Sequence, residues 1–480
     1  MRKIVWIIGI LFLCAGCTTQ PLRFTQFNSP SRIPANEKKP TLSVLFVSDI
    51  HFNSLADPTL VPTLISSPVS KWTTVFATAK NQNVNSYGAD TDYSLLMSAM
   101  SAMKAALPHP DLIVLGGDFI AHKFHQKFRR VVPHASRKEY ADFFNKTEQF
   151  LARLFIKNFP QTQILPVLGN NDAPCGDYKS QPQGSYLRAF ARAWQPAVNR
   201  FGGAPDFVAQ FSKDGFYSAT VRKDKTALRV LALNDDFWMS HYKNKCGIPS
   251  YNAGPTELHW LNQKLQMSSN VHEPVWLMTH GPAGLNLYST FHFHPTFCHT
   301  HLFSMIYKEP YNSQFISLVN KYANTIRVML AGHTHMNEFR VYGANAKTPV
   351  VQFIDPAVSP IYKNNPAFDV LSVEPKTFAV LDVKTYSLNL AAVLAGSLNS
   401  KRPWVPISDL DREFDLKSAS GRSLEILDKE LTNNNNLFNL YAFRFMSESP
   451  FHGFATKNRT AYACGLLHFT AEGFSHCSCK

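Results

Sequence analysis

An α/β fold follows from three features of this sequence. Short apolar runs rich in Val, Ile and Leu recur along the chain, polar residues follow each run at once, and stretches with apolar residues three to four apart lie between them. Six runs stand out: Ser43–Val47, Leu112–Leu115, Ile164–Leu168, Val230–Leu233, Val275–Met278 and Val328–Leu330. Strands buried on both faces have this near-continuous apolar character, and ligand groups collect beyond the carboxyl ends of such strands. One composite site is therefore expected where the six strand ends meet.

The elements follow in order. Arg2 and Lys3 precede an apolar run from Ile4 to Leu13 that is too short to span a bilayer, and small residues come next. Residues 1–17 are expected to be an export signal. The segment Leu13-Cys14-Ala15-Gly16-Cys17 resembles the lipobox of bacterial lipoproteins, which would make Cys17 a lipidation site and attach the protein to a membrane. An exported protein of the cell envelope, or a secreted one, is the expectation. Residues 18–40 are polar and Pro-containing, as in a linker, and the catalytic domain is expected over 41–395. Helices are predicted at Tyr93–Leu107, Arg137–Phe159 and Thr256–Met267. Beyond about residue 395 the strand pattern fades, and 396–480 is expected to form a small, mainly helical C-terminal subdomain.

With 45% hydrophobic and 17% charged residues over 480 positions, the chain has ample material for a large core and is not a disordered protein. The net charge of +14 becomes +12 once Arg2 and Lys3 are removed, which favours anionic partners. Clustered Lys and Arg interleaved with aromatics are absent, Arg129-Arg130 being an isolated pair, so nucleic-acid duplex binding is not expected. No GxxxxGK loop occurs, which disfavours nucleotide-triphosphate motors. Six cysteines remain after the signal: Cys175, Cys246, Cys298, Cys464, Cys477 and Cys479. Their spacing does not suit a zinc-thiolate site, and they read as structural disulfides of unassigned pairing.

The strand ends carry the chemistry. Asp49 and His51 follow the first run, Asp118 the second, Asn170 the third, His280 the fifth, and His333 and His335 the sixth. A hydrolytic pair of divalent ions, about 4 Å apart, requires one bridging carboxylate with terminal imidazole and carboxamide ligands, and these seven residues supply that set. Singly, each has an ordinary explanation as a helix cap, a turn residue or a buried histidine. Their joint placement at successive strand ends is what carries the signal.

The blocks Ser48-Asp49-Ile50-His51, Gly117-Asp118, Gly169-Asn170-Asn171-Asp172, Thr279-His280 and Gly332-His333-Thr334-His335 resemble those of the calcineurin-like metallophosphoesterases. Further segments resemble their acid sphingomyelinase-like phosphodiesterase branch: His122 four residues after Asp118, His280-Gly281-Pro282-Ala283-Gly284, Leu258–Asn262, and Ala357–Pro360 with Asn364–Phe368. The resemblance implies a β-sandwich flanked by helices. It implies two metal ions, expected to be zinc, one held by Asp49, His51, Asp118 and His335 and the other by Asp118, Asn170, His280 and His333. A hydroxide bridging such ions would attack phosphorus, and His122 is the expected proton donor to the leaving alkoxide.

The chain departs from the family at Asn171, where a histidine is usual; a Gly-Asn-Asn-Asp block also resembles the endopolyphosphatases. Asn171, Asn234, His292 and His294 are candidate substrate-binding residues, and His299 and His301 extend the same His-rich stretch. Asp172, Asp177 and Asp355 are expected to be turn and capping residues. About 23 residues separate Cys17 from Thr41, too few for the membrane-engaging domain of the sphingomyelinases proper. The expected substrates are therefore small phosphoesters, nucleotide-like or choline-phosphate-type, with endopolyphosphatase or nucleotide phosphomonoesterase as the alternative and a non-catalytic surface lipoprotein as a third reading.

Overall fold

A computed structural model describes residues 41–244, 251–294, 296–396, 403–451 and 458–479. The signal, Cys17 and the linker lie outside them, as does Cys246. Twelve strands fall into two six-stranded sheets. The first is ordered β12, β11, β10, β1, β2, β3, from Trp404–Asp409, Val380–Leu388, Ala367–Val373, Leu42–Val47, Leu112–Leu115 and Gln163–Pro166. The second is ordered β4, β5, β6, β7, β9, β8, from Tyr217–Lys223, Thr226–Ala232, Val275–Met278, Ile326–Ala331, Val350–Ile354 and Glu338–Tyr342. In each sheet a run of parallel pairs (β1 to β3, and β5 through β7 to β9) is flanked by antiparallel strands.

Alternation within the second sheet shows where the core sits. Val230, Trp276, Met278, Val328 and Leu330 share one apolar cluster with Val44, Phe46 and Val114 of the first sheet. Their neighbours Leu231, Val275, Leu277 and Met329 turn the other way, onto helix residues Leu258, Leu261 and Phe315. The expected sandwich with helical flanks is thus what these apolar patterns build.

The helices stop and start as their capping chemistry dictates. Helix α1 (Tyr93–Ala106) begins at Asp92, whose carboxylate accepts the Leu95 N–H at 2.8 Å. Helix α2 (Arg137–Asn158) opens on a reciprocal Ser136/Glu139 capping box and buries Phe143, Phe150, Leu151 and Leu154. Helices α3 (Ala253–Asn270) and α4 (Tyr311–Lys321) cover the second sheet.

The boundary expected at residue 395 is not a structural break. β12 pairs with β11 across it, so the C-terminal residues complete the first sheet. Helices α5 (Gly421–Asn433) and α6 (Arg459–Leu467) then pack on β8, and Leu424, Leu427 and Tyr462 join the main core. The separate helical subdomain is therefore replaced by a helical layer of the catalytic body. A final helix, α7 (Ala471–Ser478), is fastened by two disulfides, Cys298–Cys479 and Cys464–Cys477, and Cys175 is disulfide-bonded as well.

One buried ion pair ties the second sheet to the site. Arg340 of β8 is fully buried; its Nε donates to Glu338 at 2.7 Å, and its Nη groups donate to the carbonyls of Ala283 and Leu285, just beyond His280. Removing one member strands the other's charge in the core. Arg340→Met is expected to cost about 3–5 kcal/mol in urea unfolding, while Arg340→Met with Glu338→Leu recovers much of it. A second prediction concerns pH. Burial pushes the Asp428 carboxyl of α5 up to about 7, Lys429 opposing and Glu425 adding to the effect. The folded value lies above the unfolded one, so this contribution to stability is complete below about pH 4 and is lost as pH rises through 7. Asp428→Asn should therefore raise the melting temperature at pH 8 and leave it unchanged at pH 4.

Candidate metal centre and active site

Every strand of the two parallel runs ends on the same edge of the sandwich, and the polar residues beyond those ends meet there. Five of them adopt left-handed backbone: Asp49 (φ 50°), His51 (45°), Asp118 (53°), His333 (72°) and His335 (66°). Non-glycine residues in this region cost of order 1 kcal/mol or more each, so neighbouring groups must hold them. The Asp49, His51 and Phe52 N–H groups donate to Gly117, Asp118 and Phe119 carbonyls at 3.0, 2.8 and 2.7 Å. Ser359 N–H and Ala357 N–H donate to the carbonyls of Asp49 and His335, so the 357–360 segment clamps the first and last blocks together. Gly332 has no room for a side chain, since a Cβ would stand 2.5 Å from Asp49 Oδ2.

Buried carboxylates set the remaining turns. Asp172 accepts N–H groups of Phe119, Ile120 and Gly169, locking the second block to the third, as its expected turn role requires. Asp235, which the sequence reading missed, accepts the His280 and Gly281 N–H groups at 2.7 Å each.

The side chains form two convergent sets that share one atom. His51 Nε2 lies 3.6 Å from Asp49 Oδ1, 3.4 Å from Asp118 Oδ2 and 3.1 Å from His335 Nε2, while His335 Nε2 is 3.3 Å from Asp49 Oδ1. His280 Nε2 lies 3.3 Å from the same Asp118 Oδ2, 3.0 Å from Asn170 Oδ1 and 3.3 Å from His333 Nδ1, with His333 Nδ1 2.9 Å from Asn170 Oδ1. Asp118 Oδ2 belongs to both sets.

These residues fit a pair of metal ions. The other ring nitrogens of His51 and His280 face the backbone carbonyls of Ile120 and Gly116, which commits Nδ1–H to the backbone and leaves Nε2 facing inward, able to take a metal ion once it loses its proton. Asp49 Oδ1 is buried without a hydrogen-bond partner. Ring nitrogens that face each other near 3 Å repel unless a cation or proton lies between them. Ligands about 2.0–2.1 Å from one ion stand about 3.0–3.4 Å apart, which matches the separations here.

Electrostatics agree. Burial opposes charge on Asp49 and Asp118, yet His335 beside the first and His280 and His51 beside the second hold both carboxyls well below their usual range. Burial likewise opposes charge on His51, but the carboxylates of Asp118, Asp49 and Asp90 push it up to about 9, and His280 rises for the same kind of reason. Burial and the His280 charge push His333 down to about 3. Protons on His51 and His280 thus balance the two carboxylates, and metal binding must displace them.

His122 lies beside the first set. Its ring stacks on His51 with centroids 4.0 Å apart, and its Nδ1 is 2.8 Å from Asp90 Oδ1. Asp177 does more than turn the chain: its carboxylate accepts the Asn170 amide at 2.7 Å, which aims Asn170 Oδ1 at His280 and His333. Tyr178 stands edge-on to His333, and Tyr362 edge-on to His335 and His122. None of Asp90, Tyr178 or Tyr362 carries a local sequence signal.

Other candidates lie elsewhere or serve differently. Asn171 braces Asp118: its backbone N–H and its side-chain amide donate to the two carboxylate oxygens, at 2.7 and 2.9 Å. Asn234 is fully buried and its amide donates to the Asp214 carbonyl, so it supports that turn and does not line the site. Asp355 is fully buried, near Asp369 and Asp49. The side chain of His292 lies outside the described residues. His294 caps a short helix through its N–H, and His301 reaches Ser475 at 3.3 Å, so this stretch packs toward the C-terminal helices.

Comparison with known proteins follows from this geometry. A family model described as calcineurin-like phosphoesterase matches residues 42–337. The chain is 24% identical to mouse acid sphingomyelinase-like phosphodiesterase 3b over 82% of its own length and 80% of the relative's. It is 24% identical to the human cyclic GMP-AMP phosphodiesterase SMPDL3A, covering 84% and 85%. Sphingomyelinase phosphodiesterase D of Dictyostelium discoideum is 25% identical, covering 76% of each. Among solved structures, a dimetal phosphatase from Danio rerio aligns with TM-score 0.41 at 11% identity, over 73% of this chain and 96% of that one.

The Asp177 contact yields a prediction. Asp177→Ala releases the Asn170 amide, and affinity for the second of two titrated zinc equivalents should fall about 10- to 100-fold while the first is unchanged. Competition with a chromogenic chelator measures both steps.

Proposed function

The chain belongs to the calcineurin-like phosphoesterase family, and on that premise we propose that it is an exported dinuclear-metal phosphodiesterase acting on small phosphoesters. The observation that carries this reading is the pair of four-donor sets sharing Asp118 Oδ2. Asp49, His51, Asp118 and His335 would hold one ion, and Asp118, Asn170, His280 and His333 the other. Their imidazole-rich chemistry favours zinc. Two bound divalent ions supply charge neutralisation at the phosphoryl oxygens and an activated water for attack.

The chain's own groups do the rest. Asp118 fixes the spacing of the two sets and is itself held by the Asn171 amide. His122 has Nδ1 committed to Asp90, which leaves Nε2 to hand a proton to the leaving oxygen. Tyr178 stands next to His333 and Tyr362 next to His335, and both bound the space a substrate fills.

Names of relatives support a phosphodiester as the bond cut, nucleotide-like or choline-phosphate-type. One observation favours phosphoanhydride cleavage instead, as in polyphosphate: Asn171, with its amide on Asp118, leaves a single histidine for proton transfer, and a phosphate leaving group needs a proton less than an alkoxide does. Disulfides at Cys298–Cys479 and Cys464–Cys477 support an oxidising compartment outside the cytoplasm, with Cys17 as the point of membrane attachment.

Asp118→Asn is expected to abolish hydrolysis of bis(p-nitrophenyl) phosphate, by a factor of at least about 10³, with its melting temperature kept in the presence of chelator. Turnover at the wild-type rate would refute the assignment. Relative kcat/KM on a phosphodiester, ATP and polyphosphate separates the two substrate readings.

A further inference from the structure

Asp90 is not among the blocks that resemble a family motif, yet its side chain is completely buried beside the candidate site. Three backbone segments bring it there. Phe52, just past His51, forms bridges to both Thr91 and Ile120, and Asn53 N–H donates to the Thr91 carbonyl at 2.8 Å. Asn85 closes the loop that follows, its amide donating to the Asp90 carbonyl at 2.7 Å and its Oδ1 accepting the Asp92 N–H. Asp92 in turn starts α1. Asp90 therefore sits on a braced turn one residue from a strand-like contact.

Each oxygen of its carboxylate has a partner. Oδ1 is 2.8 Å from His122 Nδ1, and Oδ2 pairs with the Lys127 ammonium. With the Lys127 ammonium on one oxygen and His122 on the other, the buried carboxylate is paired as an anion. An anionic oxygen at that distance accepts a hydrogen bond from Nδ1–H; the charged ring carries its transferable proton on Nε2, and the neutral ring left after transfer is held as the Nδ1–H tautomer. His51 under one face of the ring and the Tyr362 edge near it complete the setting.

We propose that Asp90, neutralised by Lys127, is the positioning residue for His122: it fixes the ring's orientation and tautomer so that Nε2 faces the leaving oxygen of the substrate. The proposal rests on the reading of His122 as proton donor. The chain supplies a carboxylate–imidazole pair, the arrangement that orients the ring and stabilises the charged form that delivers the proton. A second histidine after Asn170 is absent, so the whole proton-transfer task falls on this one oriented ring. Lys127 keeps the buried carboxylate from being an uncompensated charge when His122 gives up its proton.

The test uses full-length, zinc-loaded protein labelled with ¹⁵N-histidine, and compares wild type with Asp90→Asn, Asp90→Glu, His122→Ala and Asp90→Asn/His122→Ala. Two-bond ¹H–¹⁵N spectra, assigned for His122 by its loss in His122→Ala and recorded at a pH where the ring is neutral, should show Nδ1 protonated in wild type and a mixed tautomer in Asp90→Asn. With an alkyl phosphodiester, Asp90→Asn should lower kcat about 10- to 100-fold with KM within about twofold, and Asp90→Glu should recover part of it. With a p-nitrophenyl ester, whose leaving group needs no proton, the loss should nearly vanish. In the His122→Ala background Asp90→Asn should add nothing.

An unprotonated Nδ1 in wild type overturns the proposal, and this arm needs no variant of Asp90. Additive loss in the double variant, or equal loss on both esters, also overturns it and makes Asp90 a structural residue. If His122→Ala alone keeps the wild-type rate on the alkyl ester, the proton-donor reading fails, while the spectra still decide whether Asp90 sets the ring.

Discussion

Asp118 Oδ2 faces the inward nitrogens of two histidines, His51 at 3.4 Å and His280 at 3.3 Å, and the molecule is organised around keeping that crowd together. Several of the groups around it are acceptors crowded near 3 Å, and the backbone must hold them there. Left-handed conformations at five of the seven positions, and the buried carboxylates of Asp172 and Asp235, are how the loops do so. Pairing energy spread through both sheets underwrites this local strain, as is common where a fold stores geometry for chemistry.

The seven residues were legible because each lies within a few residues of an apolar strand, so the order of strands in the sequence is also the order of blocks in the site. The two sets and their shared oxygen were expected only through resemblance. What stayed hidden acts from outside the motif blocks. Asp90 meets His122 from a loop 32 positions away, Asp177 reaches back to Asn170 after an intervening turn, and Tyr362 arrives beside His335 from a segment braced by the buried Asn364 amide. Asn171 and Asn234 are the opposite case: they stand next to the site in sequence, but their amides donate to Asp118 and to the Asp214 carbonyl.

Fold legibility divides along the same line. The parallel strands, buried on both faces, announce themselves as apolar runs. β10 and β11 alternate between buried and half-buried positions, and β12 is exposed or half-buried beyond Trp404, so the antiparallel half of the first sheet lacks that signature. The C-terminal helices looked independent because their apolar stripes say that they bury something without saying what; Phe339 of β8 against Tyr441, and Tyr342 against Phe469, show that they cover the second sheet.

The order of strands in the first sheet bears on how the protein is made. β1 is bonded on one side to β2, some 70 residues on, and on the other to β10, where Leu42 meets Val373 and Phe46 meets Asp369. The strand that carries Asp49 and His51 therefore remains an open edge until more than three-quarters of the chain has been synthesised. Loop closure over such distances is slow, and an unpaired apolar edge invites association between chains. A nascent chain of this kind gains from being kept unfolded until it is complete, as a chain threaded through a membrane is.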